Sequence, residues 1–346
     1  MKTRKVFLFI LLIVALIFAY GLWNVFGPVI HNPDKKFLYI KTGSNYQNVK
    51  ENLIKNKMIS NTFWFDKIAQ YADYPSKVKA GKYKVENEMS LYHLIKMLGT
   101  GKQVPVNLVI TKLRTKEDLA KKIAANFEAD SLTTINFLNN KDSLVQFNVD
   151  TNTVMTDVIP NTYTYTWNTS IKNIFKKLYS EEQKFWNDER RQKATRLGLT
   201  PKQVYTLASI VEEETNKQDD KGKIASVYVN RLKKGMKLAA DPTVKFALKD
   251  FGLKRIYEKH LEFASPYNTY QNTGLPPGPI CTPSIKTIDA VLDSPETNYL
   301  FFVARSDFSG YSDFASSYQQ HQVYAKAYQQ ALDSVMKLKQ QKSESK

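Results

Sequence analysis

Three consecutive glutamates, Glu212, Glu213 and Glu214, close the apolar run Leu207-Ala208-Ser209-Ile210-Val211. A carboxyl group at the edge of an apolar helix is partly desolvated, and desolvation disfavours its charged form. An acid kept protonated near neutral pH is what general-acid cleavage of a glycosidic bond requires. Glu212 is the first choice for that role. On a helix it shares a face with Ser209, Ala208 and Tyr205, at separations of three, four and seven. Glu213 and Glu214 turn to other faces, and Glu214 is the main rival. On the helix alone, three acids in a row more often mark a solvated face. Asp241 is a second carboxylate of interest. Its setting, Asp241-Pro242-Thr243-Val244, reads most economically as an N-cap opening a short helix to Leu248.

The elements that must position these groups are legible around them. Gly198-Leu199-Thr200-Pro201-Lys202-Gln203 is a strong helix start, with Thr200 as N-cap, Pro201 at the first position and Gln203 closing a capping box. Upstream, Phe37 to Ile40 is a strand candidate, and Ser44-Asn45-Tyr46-Gln47 opens a helix to about Lys57. Asn61 or Thr62 starts a second helix, and Ala80 to Val85 forms a return strand. A helix from Ser90 to Leu98 ends at Gly99 and Gly101. Val104 to Ile110 alternates as a strand with Pro105 near its edge. Thr115 caps a helix through Phe127, and another follows Asp130. Residues 140–157 read as a polar loop. Ser170 then caps a long helix with Ile171, Ile174, Phe175, Leu178, Phe185 and Trp186 as its buried stripe. His31 to Lys36 is a linker, and the Lys/Gln/Ser tail after Met336 is polar.

The chain has 346 residues and a formal charge of +17. Hydrophobic residues at 42% and aromatics at 12% suffice for packed cores, so global disorder is excluded. The positive charge favours polyanionic surroundings: nucleic acid, anionic lipid or an anionic wall polymer. The single cysteine, Cys281, excludes an intramolecular disulfide. Four scattered histidines show no metal-ligand spacing, and neither a metal nor an organic cofactor is expected.

Lys2, Arg4 and Lys5 precede an uncharged apolar run from Val6 to Phe26. As a helix this spans about 30 Å, the thickness of a bilayer core. Ala19-Tyr20-Gly21 resembles a signal-peptidase site. The apolar run continues past it through Leu22, Trp23, Val25 and Phe26, which favours an uncleaved anchor. The positive-inside tendency keeps the short basic tail cytoplasmic and sends the rest across. That placement makes nucleic acid an unexpected partner.

Further motifs follow Glu212 in order. They are Ile224-Ala225-Ser226-Val227-Tyr228-Val229-Asn230-Arg231-Leu232, Gly235-Met236-Lys237-Leu238 and Asp241-Pro242-Thr243-Val244. Tyr267-Asn268-Thr269-Tyr270 comes next, leading to Gly274-Leu275-Pro276-Pro277-Gly278-Pro279-Ile280, and Asn298 to Ala304 reads as a strand. This series resembles the endolytic murein transglycosylase family, the YceG-like proteins. Ile159-Pro160-Asn161-Thr162-Tyr163 looks like a diverged form of the family's Pro-Asp-Thr-Tyr element. The resemblance implies an α+β protein with an N-terminal transmembrane helix at 6–26 and a cytoplasmic tail at 1–5. A small LysM-like domain at 35–101, a catalytic domain at 102–336 and a polar tail at 337–346 complete the layout.

The resemblance implies cleavage of the β-1,4 bond between N-acetylmuramic acid and N-acetylglucosamine within nascent peptidoglycan strands. Glu212 would protonate the leaving oxygen, then take a proton from the muramic 6-hydroxyl as it closes a 1,6-anhydro ring. Asn230, Arg231, Asp241, Tyr267, Asn268 and Tyr270 would bind substrate, with Glu214 and Ser209 in support. For Arg231, a salt bridge to Glu213 or Glu214 is an equal alternative. Wall synthases are plausible partners. Two rivals stand beside this reading: a muramidase pairing Glu212 with Asp241, and a non-catalytic wall-binding scaffold. Ala239 and Ala240 replace a polar pair usual in the family, and the histidine common in its late Gly-x-His segment is replaced, Gly310 being followed by Tyr311 and Ser312. His321 matches the histidine of a terminal element.

Overall fold

The structure, a computed structural model, describes residues 2–344 except 32, 34, 35 and 61. Part of the expected linker and the Asn61 cap therefore lie outside the described residues. In chain order the elements are α1 (Lys2–Phe26), β1 (Phe37–Ile40), α2 (Tyr46–Lys55), α3 (Thr62–Tyr71), β2 (Gly81–Lys84), α4 (Leu91–Thr100) and β3 (Val106–Val109). Next come α5 (Lys116–Asn126), α6 (Ser131–Asn139), α7 (Lys141–Val145), β4 (Thr162–Tyr165), α8 (Ile171–Phe185), α9 (Asp188–Leu197) and α10 (Pro201–Glu214). The chain finishes with α11 (Gln218–Lys233), α12 (Asp241–Leu248), α13 (Glu258–Leu261), α14 (Ile285–Leu292), β5 (Phe301–Ala304), β6 (Ser312–Ala315) and α15 (Tyr318–Glu344). This is a mixed α+β chain with three two-stranded sheets among the described residues: β1–β2, β3–β4 and β5–β6. Two compact units emerge. One comprises Met1–Leu108, Ala124–Asp130 and Thr164–Ser170, the other Val109–Ile123, Ser131–Tyr163 and Ile171–Lys346.

In the first unit, α1 is long and apolar enough to cross a membrane, and its apolar window has no protein cover. Its far end meets α3 and α4 through aromatic contacts, Tyr20 with Trp64 and Phe26 with Tyr92. The strands β1 and β2 pair antiparallel, with Leu38 opposite Tyr83. The period-two alternation turns Leu38 and Ile40 into a core shared with Val49, Leu53, Phe65, Ala69 and Leu94. Asn45, one residue later than the Ser44 expectation, caps α2 in a reciprocal box with Asn48. Ser90 caps α4, and Gly101 ends it in the left-handed conformation.

The second unit is organised around α10. Thr200, Pro201 and Gln203 start this helix as their residue types dictate. Eight consecutive residues, Val204 to Val211, are buried. A helix apolar on all sides must be covered on all sides. The helices α9, α11, α12 and α14 provide that cover. Residues 140–157, expected as a polar loop, instead contain α7 and a 3-10 turn at Val154–Asp157, with Leu144, Phe147, Val154 and Met155 buried. Their apolar residues are too sparse for a helical stripe but enough to dock a short turn. The helix α15 runs through most of the stretch expected as a polar tail.

Tyr205 fixes α10 against that turn. Its ring is fully buried, and its hydroxyl donates to the Val158 carbonyl at 2.6 Å. Tyr205→Phe leaves that carbonyl unpaired and should cost about 1–3 kcal/mol. A lower urea midpoint with an unchanged m-value is the expected reading.

Candidate active site

Glu212 and Glu214 are two residues apart on α10. At about 100° per residue they face nearly opposite sides of the helix. Glu212 turns toward α11 and α14. Its Oε2 meets the Lys221 ammonium at 3.0 Å and accepts from the Ser284 hydroxyl at 3.1 Å and from the Thr287 hydroxyl. The Lys221 ammonium also donates to Thr287 Oγ1 at 2.6 Å. Lys221 and Thr287 are buried, and Ser284 is the N-cap of α14. Burial pushes the Glu212 carboxyl up. The Thr287, Lys221 and Ser284 hydrogen bonds and the Lys221 charge outweigh it and hold the group below its ordinary range. The expectation that Glu212 has a raised pKa is therefore reversed: desolvation is present, but the partners that accompany it favour the anion.

Glu214 has the environment expected of Glu212. It lies in the last turn of α10 and is half-buried. Burial is the largest cause that pushes its carboxyl up, to about 7. The negative charge of Asp241 adds to the rise, while the Tyr228 hydrogen bond and the positive charges of Arg231 and Lys245 oppose it. The C-terminal end of the α10 dipole also disfavours an anion there. The Tyr228 hydroxyl, itself buried, donates to Glu214 Oε1 at 2.6 Å. Glu213 faces a third direction, paired with Lys112 at 2.8 Å and Arg114 at 3.1 Å.

Asp241 is not the cap its sequence suggests. Ala240 occupies the N-cap position, no side chain caps the helix, and Asp241 is the first helical residue. Thr243 donates to the Ala240 carbonyl instead. The exposed Asp241 carboxylate is thereby free to accept from the Tyr270 hydroxyl at 2.6 Å. Tyr228, Arg231, Asp241 and Tyr270 thus gather electrostatically around Glu214.

The remaining expected substrate contacts divide. Arg231 makes neither of the salt bridges considered for it. Its Nε donates to the Leu300 carbonyl at 2.7 Å and its Nη1 to the Leu238 carbonyl at 2.6 Å. Asn230 spends its amide hydrogens on the Thr297 and Tyr299 carbonyls, fastening α11 to the chain leading into β5. Asn268 is fully buried and cannot reach a substrate. It donates to the Leu261 and Phe263 carbonyls and accepts from the Tyr270 backbone. Its work is to shape the turn that presents Tyr270. Tyr267 is half-buried and packs on Phe246 with ring centroids 4.7 Å apart.

Ser209 supports the site structurally. Its buried hydroxyl donates to the Thr206 carbonyl and accepts from the Ile280 backbone, tying the proline-rich loop to α10. Gly278 lets that loop come close, since a Cβ there would lie 2.1 Å from the Asn152 carbonyl. Sequence reasoning missed Lys221, Ser284, Thr287 and Tyr228 as partners of the glutamates. Only Tyr228 carried a signal, three residues before Arg231 on the same helical face.

Residues 38–327 match the YceG-like family. The chain is 31% identical over 287 residues to an endolytic murein transglycosylase of Bacillus subtilis, covering 78% of each protein. It is 27% identical over 301 residues to an endolytic murein transglycosylase of Streptococcus pneumoniae, covering 77% of this chain and 53% of that longer protein. A crystal structure of a YceG-like protein from Listeria monocytogenes aligns with a TM-score of 0.55 at 28% identity, covering 84% of this chain and 98% of that one.

Two outcomes follow for Glu212→Gln. Removing one partner of a buried ion pair leaves Lys221 uncompensated and should destabilise the protein by about 3–5 kcal/mol. The folded-state pKa of Glu212 lies below its ordinary value of 4.5. Its contribution is thus fully present above that value and is lost as pH falls through the depressed one. The variant should have a lower melting temperature at neutral pH and a shallower loss of stability below pH 4.5. Wild-type stability at neutral pH in Glu212→Gln would show that this ion pair contributes nothing.

Proposed function

Because the chain belongs to the YceG-like family, we propose that it is a membrane-anchored endolytic lytic transglycosylase of murein, with Glu214 as its acid and base. Glu214, protonated over part of the neutral range, gives its proton to the glycosidic oxygen between N-acetylmuramic acid and N-acetylglucosamine. The C1–O bond breaks and the glucosamine leaves with a free 4-hydroxyl. The resulting carboxylate takes the proton of the muramic 6-hydroxyl while that oxygen bonds to C1. A 1,6-anhydro ring forms, no water is consumed, and Glu214 is protonated again. One carboxyl therefore serves both steps.

The raised carboxyl of Glu214, with the Tyr228 hydroxyl on it at 2.6 Å and the Asp241–Tyr270 pair beside it, supports this assignment; Glu212, the acid that the family resemblance implies, is the alternative, and Glu212→Gln in the same digest separates the two. A general acid needs a proton at working pH, and Glu212 is held as an anion by Lys221, Thr287 and Ser284. Asp241, pinned by Tyr270, contributes negative field for the positive charge that develops at C1. Arg231, spent on two carbonyls, acts as a fixed cation near Glu214 and not as a bidentate clamp on substrate.

Further parts of the reading belong here too. The small first unit is LysM-like: its order of strand, two helices and antiparallel return strand supports this. The helix α1 is a single-pass anchor in the plasma membrane with its basic end cytoplasmic. The second unit then works outside the cytoplasm on nascent strands, ending their elongation beside the wall synthases. The +17 charge suits an anionic wall polymer.

The test is mass spectrometry of glycan strands digested by the full-length protein. Wild type should release anhydromuramic ends. Glu214→Gln should lose about 10²–10⁴-fold in rate without losing melting temperature, since it replaces a costly buried acid by a neutral isostere. Retained anhydro ends in Glu214→Gln would overturn the assignment, and reducing ends from the wild type would make Asp241 the base of a hydrolase. The rate should also fall as pH rises through about 7, the value at which Glu214 gives up its proton. A rate independent of pH from 6 to 8 would contradict a titrating acid on Glu214.

A further inference from the structure

A small pocket adjoins the Glu214 cluster within the second unit, with a volume of about 110 Å³. Arg114, Glu213, Pro242, Lys245, Phe246 and Phe251 line it. Two of these residues are chain neighbours of the acidic pair, since Glu213 precedes Glu214 and Pro242 follows Asp241. We propose that this pocket receives a carboxylate of the peptide stem borne by the muramic acid at the cleaved bond. It thereby makes the enzyme selective for strands that carry their stems. This inference rests on the murein reading of the active site.

Charge comes first. Lys112 and Arg114 both pair with Glu213, which leaves one net positive charge in that group. Lys245 adds another, and with the adjoining Asp241 carboxylate counted the surroundings keep an excess of one. The Lys245 side chain is half-buried and its ammonium makes no hydrogen bond or ion pair with any described residue, so it is available to an incoming anion. The Asp241 carboxylate next door is engaged by Tyr270. In a stem-bearing strand the sugar rings are neutral and the lactyl carboxyl is tied up as an amide, so the saccharide itself gives these cations no partner. The lactyl-linked peptide is the part of murein that supplies carboxylates.

Size and walls agree with this. At about 30 Å³ per water, the pocket holds the volume of three or four waters, enough for a carboxylate with a small side chain and too little for a disaccharide. Phe251 stacks beneath the Arg114 guanidinium at 5.1 Å and packs on Phe246 at 6.3 Å. These rings offer an apolar wall beside the charges, as an alanyl methyl requires. The pocket is also held in place. Thr282 bonds the Leu113 amide and the Thr111 carbonyl, which fixes the irregular segment that delivers Arg114. Phe246 is braced by Tyr267.

The experiment measures equilibrium binding of glycan strands to full-length Glu214→Gln protein, which allows no turnover to obscure affinity. One set of strands keeps its peptide stems, and the other has been stripped by an amidase and its exposed lactyl carboxylates converted to neutral methylamides. Stem-bearing strands should bind about ten- to a hundredfold tighter, the worth of a charge-assisted hydrogen bond. Adding Lys245→Met should bring that ratio near one, and Lys245→Arg should restore most of it. Using the ratio cancels any effect of Lys245 on the rest of the groove, which both strands occupy. Equal binding of the two strands, or a ratio that survives Lys245→Met, would overturn the proposal. Failure of the wild type to release anhydro ends is a separate result that strikes the active-site reading instead.

Discussion

The buried contact between Glu212 and Lys221 is the constraint on which the second unit depends. It joins the end of α10 to α11 directly and to α14 through Ser284 and Thr287. Three helices meet at one carboxylate oxygen. Taking these charges out of water is costly, and the Ser284 and Thr287 hydroxyls on the same carboxylate oxygen offset part of that cost. The geometry is correspondingly specific. A buried ion pair with satisfied neighbours admits few alternative registers of α10 against α11, whereas apolar side chains alone would allow the helices to slide.

That register matters because the last turn of α10 carries Glu214. Helix ends fray when nothing holds them. Here the clamp at Glu212 lies one half-turn before Glu214, so the terminal turn is anchored on one side while its other side faces Tyr228, Asp241 and Tyr270. Ser209 anchors the preceding turn to the proline-rich loop through Ile280. The two acids are therefore complementary in their chemistry. Glu212 is kept charged by its partners, and Glu214 is kept partly neutral by burial, by Asp241 and by the helix dipole.

Much of this was legible in the residues, and the omissions have physical causes. Local rules located what local chemistry decides: the Thr200–Gln203 box, the Ser90 cap, the Gly101 stop and the β1 strand. They placed three acids at the end of α10 but not the surroundings that each carboxyl meets. A sequence shows that three glutamates follow an apolar run, yet pKa is set by partners that lie 9, 14 and 75 residues away, as Lys221, Tyr228 and Thr287 do. Desolvation alone, the only term a sequence exposes, predicts the same shift for both acids. Asp241 failed for a related reason. The pattern Asp-Pro-Thr suits a cap, but the helix starts one residue early, with Ala240 at the N-cap position and no side chain capping it. Asn268 is expected at the substrate because a polar side chain between two tyrosines resembles a ligand contact until its burial is known.

The separation of roles also explains why the two acids sit two residues apart and not three or four. Residues three or four apart share a helical face, and a second carboxylate there would lie within about 6 Å of the first. The Lys221 charge would then stabilise both anions, and neither would hold a proton at neutral pH. At a spacing of two, the helix itself stands between the clamp and the acid. Lys221 is not among the groups that shift Glu214, and Arg231 and Lys245 oppose its rise less than burial promotes it. A charged clamp that joins three helices can thus lie close to a carboxyl that burial pushes up to about 7, because the helix places them on different sides of its axis.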